Sequence, residues 1–208
     1  MRAFIYVGGS IRPENITEHP KSDDITIAAD AGYKNAEILG DAVQILVGDF
    51  DSFDADGISD KIKRITVPAE KDFTDTQLAV DTALKAGARD IVIIGGLSGR
   101  LDHTMANLAL IKELSLSGIY AAIADGNNRV RYINSTSTLI SRSGYKYLSL
   151  IIDGDKVKGV DVEGCKYPLK NATLSLHDQT LTVSNEIVGN CALVAVKRGG
   201  LYIIESAD

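Results

Sequence analysis

Residues 43–52 read VQILVGDFDS. A mostly apolar run, β-rich and without polar alternation, ends abruptly at Gly48 and two carboxylates, Asp49 and Asp51. A run of that kind suits a strand covered on both faces, as in a parallel sheet. In an open sheet of parallel strands, ligands sit beyond the carboxyl ends. The position of the two acids therefore bears on fold and function together.

The same short apolar runs recur at residues 3–7, 25–29, 64–67, 91–94 and 119–124. Between them lie three segments with helical spacing, 31–39, 74–86 and 104–116. The second carries Leu78, Ala79, Thr82 and Ala83 on one face, with Gly87 as a stop. The third carries Leu108, Ile111 and Leu114 on one stripe and ends before Gly118. Strand alternating with helix predicts a doubly wound, mostly parallel, Rossmann-like sheet.

The pattern changes at the DGNN of residues 125–128, and no long helical period follows it. Short strands are expected at 146–152, 172–176, 180–183, 192–197 and 201–205. The segments DGD (153–155), HDQ (177–179) and RGG (198–200) read as hairpin turns between them. This predicts a small C-terminal all-β sandwich. The boundary falls between Asp125 and Tyr132, giving an α/β unit of residues 1–126 and a β unit of residues 127–208.

Composition narrows the function classes. Of 208 residues, 45% are hydrophobic and 24% charged, as in an ordinary globular protein. The net charge is -6 with Lys and Arg scattered, which argues against a nucleic-acid surface. No apolar stretch approaches the roughly 18 residues of a membrane span. Two cysteines, Cys165 and Cys191, are too few for a disulfide framework, so reduced thiols and a cytoplasmic protein are expected.

Polar clusters follow the predicted strands one after another: AADAG (28–32), GDFDS (48–52), PAEKDFTDT (68–76) and GGLSGRLDH (95–103). A shared sheet would bring them to one rim. Asp49 and Asp51 point the same way in an extended segment, and Asp72 and Asp75 flank the start of the next helix. Either pair alone reads as a turn or a helix cap. Both pairs on one rim would repel unless a cation joined them, and oxygen-only ligands suit Mg²⁺. Lys71 could neutralise these acids or touch phosphate. In the last cluster, Gly95, Gly96 and Gly99 let backbone amides approach an anion, and Arg100 adds a planar charged fork. A helix follows, whose N-terminus favours phosphate. The segment is neither a Walker A loop nor a dinucleotide fingerprint, and read alone it is a strand-to-helix connection with Asp102 as a cap. His103 reads as a first-turn helix residue.

In this order, ADAG, GDFDS, EKDFTDTQLA, GGLSGRLDH and a β-rich tail containing GCKYPL and VSNE resemble the thiamine pyrophosphokinase family across nearly the whole chain. The resemblance implies transfer of diphosphate from ATP to thiamine with Mg²⁺, on an α/β domain followed by a β-sandwich in a homodimer. By position it implies Asp49, Asp51, Asp72 and Asp75 as metal-binding acids. It implies Asp49, Asp75, Arg100 and Asp102 at the chemistry. Asp30, Gly32, Lys71, Ser98, Gly99 and Arg100 would meet the nucleotide, and Ser184 and Asn185 the thiamine pyrimidine. The chain has no Trp, which some members of the family place beside thiamine, and Tyr167 is the candidate substitute. Two competing classes fit the same clusters: a pyrophosphokinase for another alcohol such as a hydroxymethylpterin, and a non-catalytic nucleotide or thiamine sensor.

Overall fold

The computed structural model describes residues 1–48, 59, 61–66 and 74–208, residues 179 and 180 by their backbone alone. Six strands build the first half: β1 (Arg2–Tyr6), β2 (Ile25–Ala29), β3 (Ile45–Gly48), β4 (Lys63–Thr66), β5 (Asp90–Ile94) and β6 (Tyr120–Ala124). They stand in the order β6-β5-β1-β2-β3-β4, and every pairing among them is parallel. Among the described residues three helices connect them: α1 (Gly32–Leu39), α2 (Asp75–Lys85) and α3 (Leu101–Leu116).

Alternate residues of these strands feed two cores. Ile5, Ile27, Val47, Ile91 and Ile93 pack with Ala79, Val80 and Ala83 of α2 and with Ile111 and Leu114 of α3. Phe4, Tyr6, Ala28, Leu46, Val92 and Ile94 pack on the opposite face with Ala36 of α1. Burial on both faces is why the strands read as unbroken apolar runs. Helix ends follow local chemistry. Thr74 and Gln77 form a reciprocal capping box at the start of α2, with N–H···O distances of 3.2 and 3.1 Å. Gly40, at φ 72°, ends α1 in the left-handed conformation.

The second half consists of β7 (Asn128–Asn134), β8 (Ser137–Ser141), β9 (Tyr147–Glu163), β10 (Leu169–Ser175) and β11 (Cys191–Ser206), all in antiparallel pairs. Two long strands replace the series of short ones expected from the sequence. DGD and RGG are not hairpin turns: Gly154 (φ 90°) lies inside β9, and Gly199 (φ 101°) lies at a register shift inside β11. A glycine at positive φ serves a bulge as well as a turn, and the sequence does not distinguish them. Residues 180–183 are not a strand either, because a 3₁₀ turn runs over Leu176–Leu181.

Below the bulge β11 lies between β8 and β9, and beyond it between β7 and β9. Both segments of β9 and β11 contribute to one apolar cluster, including Leu150, Val160, Val194 and Ile203. Nor does the hydrogen bonding stop between the halves. β6 pairs antiparallel with β7, so eleven strands join one mixed sheet.

Near that junction lies a buried ion cluster. Glu205 of β11, 2% exposed, accepts from Arg129 Nε and Nη2 at 2.8 and 2.7 Å and from Arg131 Nη2 at 2.8 Å. Burial works against the Arg129 charge, but its bonds to Glu205 outweigh this and raise the pKa above the ordinary value. Glu205→Gln would leave two buried guanidinium groups short of counter-charge. The expected cost is about 3–5 kcal/mol, a drop in melting temperature on the order of ten degrees for a chain of this size. An unchanged melting curve would show the cluster to be neutral in stability.

Candidate active site

Parallel register sets the rim. Tyr6 is level with Ala28 on one side and Ile94 on the other, and Ala28 is level with Leu46. Two residues further along each strand lie Gly8, Asp30, Gly48 and Gly96, so this mixed set of glycines and one acid falls in one row. The pairing continues into the row: Asp30 N donates to Val47 O at 2.9 Å, and Gly96 N donates to Gly8 O at 3.1 Å.

Beyond the row open two adjoining clefts, of about 240 and 330 Å³. Asp30, Ala31, Thr74 and Asp75 line the first, and Gly9, Ser98, Gly99 and Arg100 line the second. Val7, Gly8, Thr76 and His103 line both. Thus Asp30, Asp75, Ser98, Gly99 and Arg100, far apart in sequence, share one edge. Asp75 stands in the first turn of α2, where a carboxylate meets the positive helix end. Asp49, Asp51, Lys71 and Asp72 lie outside the described residues.

Close packing explains several glycines. Asp30 adopts φ 43°, and its carboxylate lies where a Cβ at Gly48 would stand. Gly32 is buried, and a Cβ there would strike the backbone of Tyr6 and Val7. Its visible role is to let α1 sit directly on β1. Gly99 has open space around it but a φ of 87°, which a side chain would strain.

Arg100 is the N-cap residue of α3, and its fork is held by Asp102. Nε donates to Oδ1 at 3.1 Å and Nη2 to Oδ2 at 2.6 Å. Hydrogen bonding from Arg100 holds the Asp102 carboxyl below the usual range, and Asp102 in turn raises the guanidinium. The pair is exposed, so its charges remain available to a ligand. Asp102 is not the helix cap, but its Oδ1 also accepts from His103 N at 2.9 Å.

Ser184 and Asn185 do not line these clefts and lie in the antiparallel half. Ser184 has φ 58°, and its N–H donates to Ser149 Oγ at 3.0 Å. The Asn185 side chain accepts from Tyr167 N at 3.0 Å and donates to Tyr167 O at 2.8 Å. It grips that backbone as a strand would and sets the Tyr167 ring, which is 60% exposed. Gly8, Gly9, Thr74, Thr76 and Asn107 also line the clefts without a role expected from sequence. For the two glycines, the strand-end position of Gly8-Gly9-Ser10 was the signal available.

A parallel sheet whose carboxyl edge carries glycine loops, acids and an arginine fork defines an α/β protein with a polar cleft at that edge. Comparison with known families supplies the particular one. Residues 17–123 match the model of the thiamin pyrophosphokinase catalytic domain, and residues 136–201 match that of the vitamin B1 binding domain. The chain belongs to the thiamine pyrophosphokinase family. It is 32% identical over 141 residues to a thiamine pyrophosphokinase of Bacillus subtilis, a match covering 67% of this chain and 65% of that sequence. A thiamin pyrophosphokinase of Caenorhabditis elegans is 26% identical, with 77% of this chain and 69% of the relative covered. Among solved structures, a thiamine pyrophosphokinase from B. subtilis superposes with a TM-score of 0.85 at 25% identity, over 100% of both chains. One from Geobacillus thermodenitrificans gives 0.84 at 26%, over 100% of this chain and 98% of the other.

The contact between Gly48 and Asp30 yields a direct test. Gly48→Ala is expected to push the Asp30 carboxylate off the cleft wall and cut turnover on the order of tenfold or more, about 1.4 kcal/mol of barrier. Circular dichroism should show the fold retained. Full activity in Gly48→Ala would mean that the position of Asp30 does not matter to the site.

Proposed function

We propose that the protein transfers a diphosphate group from ATP to the hydroxyethyl arm of thiamine, giving thiamine diphosphate and AMP. One observation carries the reading: Asp30, Asp75, Ser98, Gly99 and Arg100 line a shared pair of clefts at the carboxyl edge of a parallel sheet. That edge is where such sheets take their ligands.

In this reading the thiamine hydroxyl oxygen bonds to the β-phosphorus of ATP, the bond from that phosphorus to the α-phosphate bridging oxygen breaks, and AMP leaves. Such a transfer depends on positioning and charge neutralisation more than on covalent help. Ser98, Gly99 and the Arg100 fork would hold the polyphosphate. Asp102, ionised below the usual carboxyl range, serves Arg100 as counter-ion and has little tendency to take a proton at neutral pH. Asp49 or Asp75 would orient the attacking hydroxyl and receive its proton. Asp30, Gly32 and Lys71 complete the nucleotide side.

The donor set suits Mg²⁺, since the acids offered are all carboxylates and Asp75 already stands on the cleft wall. Asp49, Asp51, Asp72 and Asp75 would hold it. Bound there, the ion would offset phosphate charge.

The α/β unit, residues 1–126, is then the catalytic half. Residues 127–208 form a sandwich that receives thiamine and pairs two chains. Both segments of the bent strands β9 and β11 surround one core, which supports the sandwich. Ser184 and Asn185 would meet the pyrimidine, Asn185 also by presenting Tyr167 as an aromatic wall. Exposed Leu139, Leu181 and Val188 in this half favour a homodimer with thiamine between the chains. No described helix is long and apolar enough to cross a membrane. Two free cysteines agree with a cytoplasmic setting.

Incubating the protein with thiamine, ATP and Mg²⁺ should yield thiamine diphosphate and AMP in equal amounts. Formation of ADP and thiamine monophosphate, or no turnover beside a binding isotherm for thiamine, would overturn the reading. Within it, Arg100→Lys should lose tenfold or more in turnover, about 1.4 kcal/mol, because an ammonium cannot reproduce the planar fork. Asp49→Asn and Asp51→Asn should each lose activity at saturating Mg²⁺ with the fold intact.

A further inference from the structure

Two asparagines to which the proposed chemistry gives no role are buried beneath the rim. Asn35 of α1 is 5% exposed and Asn107 of α3 is 7% exposed. Asn35 Nδ2 donates to Val7 O at 2.7 Å and to Gly9 O at 3.0 Å. Asn107 Nδ2 donates to Gly96 O at 3.0 Å. Each helix thus sends one neutral amide under one glycine loop. The loops are also tied to each other, by Gly96 N to Gly8 O at 3.1 Å and Ser10 N to Ser98 Oγ at 2.8 Å.

The glycines and asparagines fit as one unit. A Cβ at Gly95 would lie 3.1 Å from Asn35 Nδ2, and one at Gly96 would lie 2.7 Å from Asn107 Nδ2. Both glycines have positive φ, 95° and 76°. In a planar trans peptide the C=O and N–H point opposite ways. Turning the carbonyls of Val7 and Gly96 onto the asparagines therefore turns the N–H groups of Gly8 and Leu97 away from the buried side. Among the described residues, the N–H groups of Gly8, Gly9, Leu97, Ser98 and Gly99 find no protein acceptor. Unpaired backbone amides gathered in this way form a concavity for an anion.

We propose that Asn35 and Asn107 are positioning residues: they fix three loop carbonyls inward and so hold the two loops as a single amide nest for the polyphosphate. The proposal rests on reading the cleft as the polyphosphate site. Only a neutral amide serves here. An aspartate of the same size cannot donate, and its charge would repel the carbonyls it should hold.

The test uses the intact protein and inorganic pyrophosphate with Mg²⁺. In amide NMR spectra of the wild type, the resonances of Gly8, Gly9, Leu97, Ser98 and Gly99 should shift on saturation. In Asn35→Asp and Asn107→Asp, pyrophosphate affinity should fall about tenfold and the KM for ATP should rise as much. The KM for thiamine should stay within about twofold, a split that general loss of stability would not produce. Unmoved loop amides in the wild type overturn the proposal, as does a folded variant with wild-type KM for ATP. If neither variant folds, the wild-type titration decides by itself. Failure of the diphosphate-transfer reading is distinct, since the wild type would then form no thiamine diphosphate although its loop amides still answer to pyrophosphate.

Discussion

The register of the parallel ladder is the constraint from which the rest of the molecule follows. β1 stands between β2 and β5, and its pairing leaves no freedom in how far each strand reaches. Because Tyr6, Ala28, Leu46 and Ile94 are level, the residues two steps beyond them arrive at the rim together. A slip of one residue in any of these strands would exchange its two buried faces and displace its rim residue. Core packing on both sides therefore fixes the site, and Val7 and Ala29 of the core also line its clefts.

At the rim the chain must turn from strand to helix, and every turn leaves backbone groups without ladder partners. The protein meets this demand unevenly. Carbonyls are satisfied from below, by Asn35 and Asn107, while amide groups are left facing the open edge. Charge is uneven too. Asp30 and Asp75 line one cleft, and Arg100, paired with Asp102, lines the other. In the proposed reading a polyphosphate with its cations uses both kinds of surface, amide and guanidinium for the oxygens and carboxylate for the metal.

The antiparallel half is attached by hydrogen bonds of the same sheet and by contacts of unlike chemistry on its two faces. On the face of α3, Lys112 meets Asp153 at 2.7 Å, and Tyr132 OH donates to the same carboxylate at 2.7 Å. Burial opposes ionisation of Asp153, yet these two partners hold its pKa below the ordinary value. Beside β6 lie Arg129, Arg131 and Glu205. Helix α3 thus has Arg100 at one end and a tether to the antiparallel half near the other.

By itself the sequence determined the alternation of strand and helix through residue 124, the change of architecture near residue 126, and the polar clusters at strand ends. Those are local properties: apolar runs, helical spacing and turn residues act over a few positions. The combination GDFDS, DFTDT and GGLSGRLDH also pointed to the family by sequence alone. Local signals misread DGD and RGG, because a glycine at positive φ looks the same in a bulge within a long strand as in a turn. They left Asn35 and Asn107 unremarked among polar helix residues. What those side chains do depends on carbonyls 28 and 11 residues away in the chain. Only the tertiary structure, by laying helix on sheet at fixed register, decides which distant carbonyl a buried amide can reach.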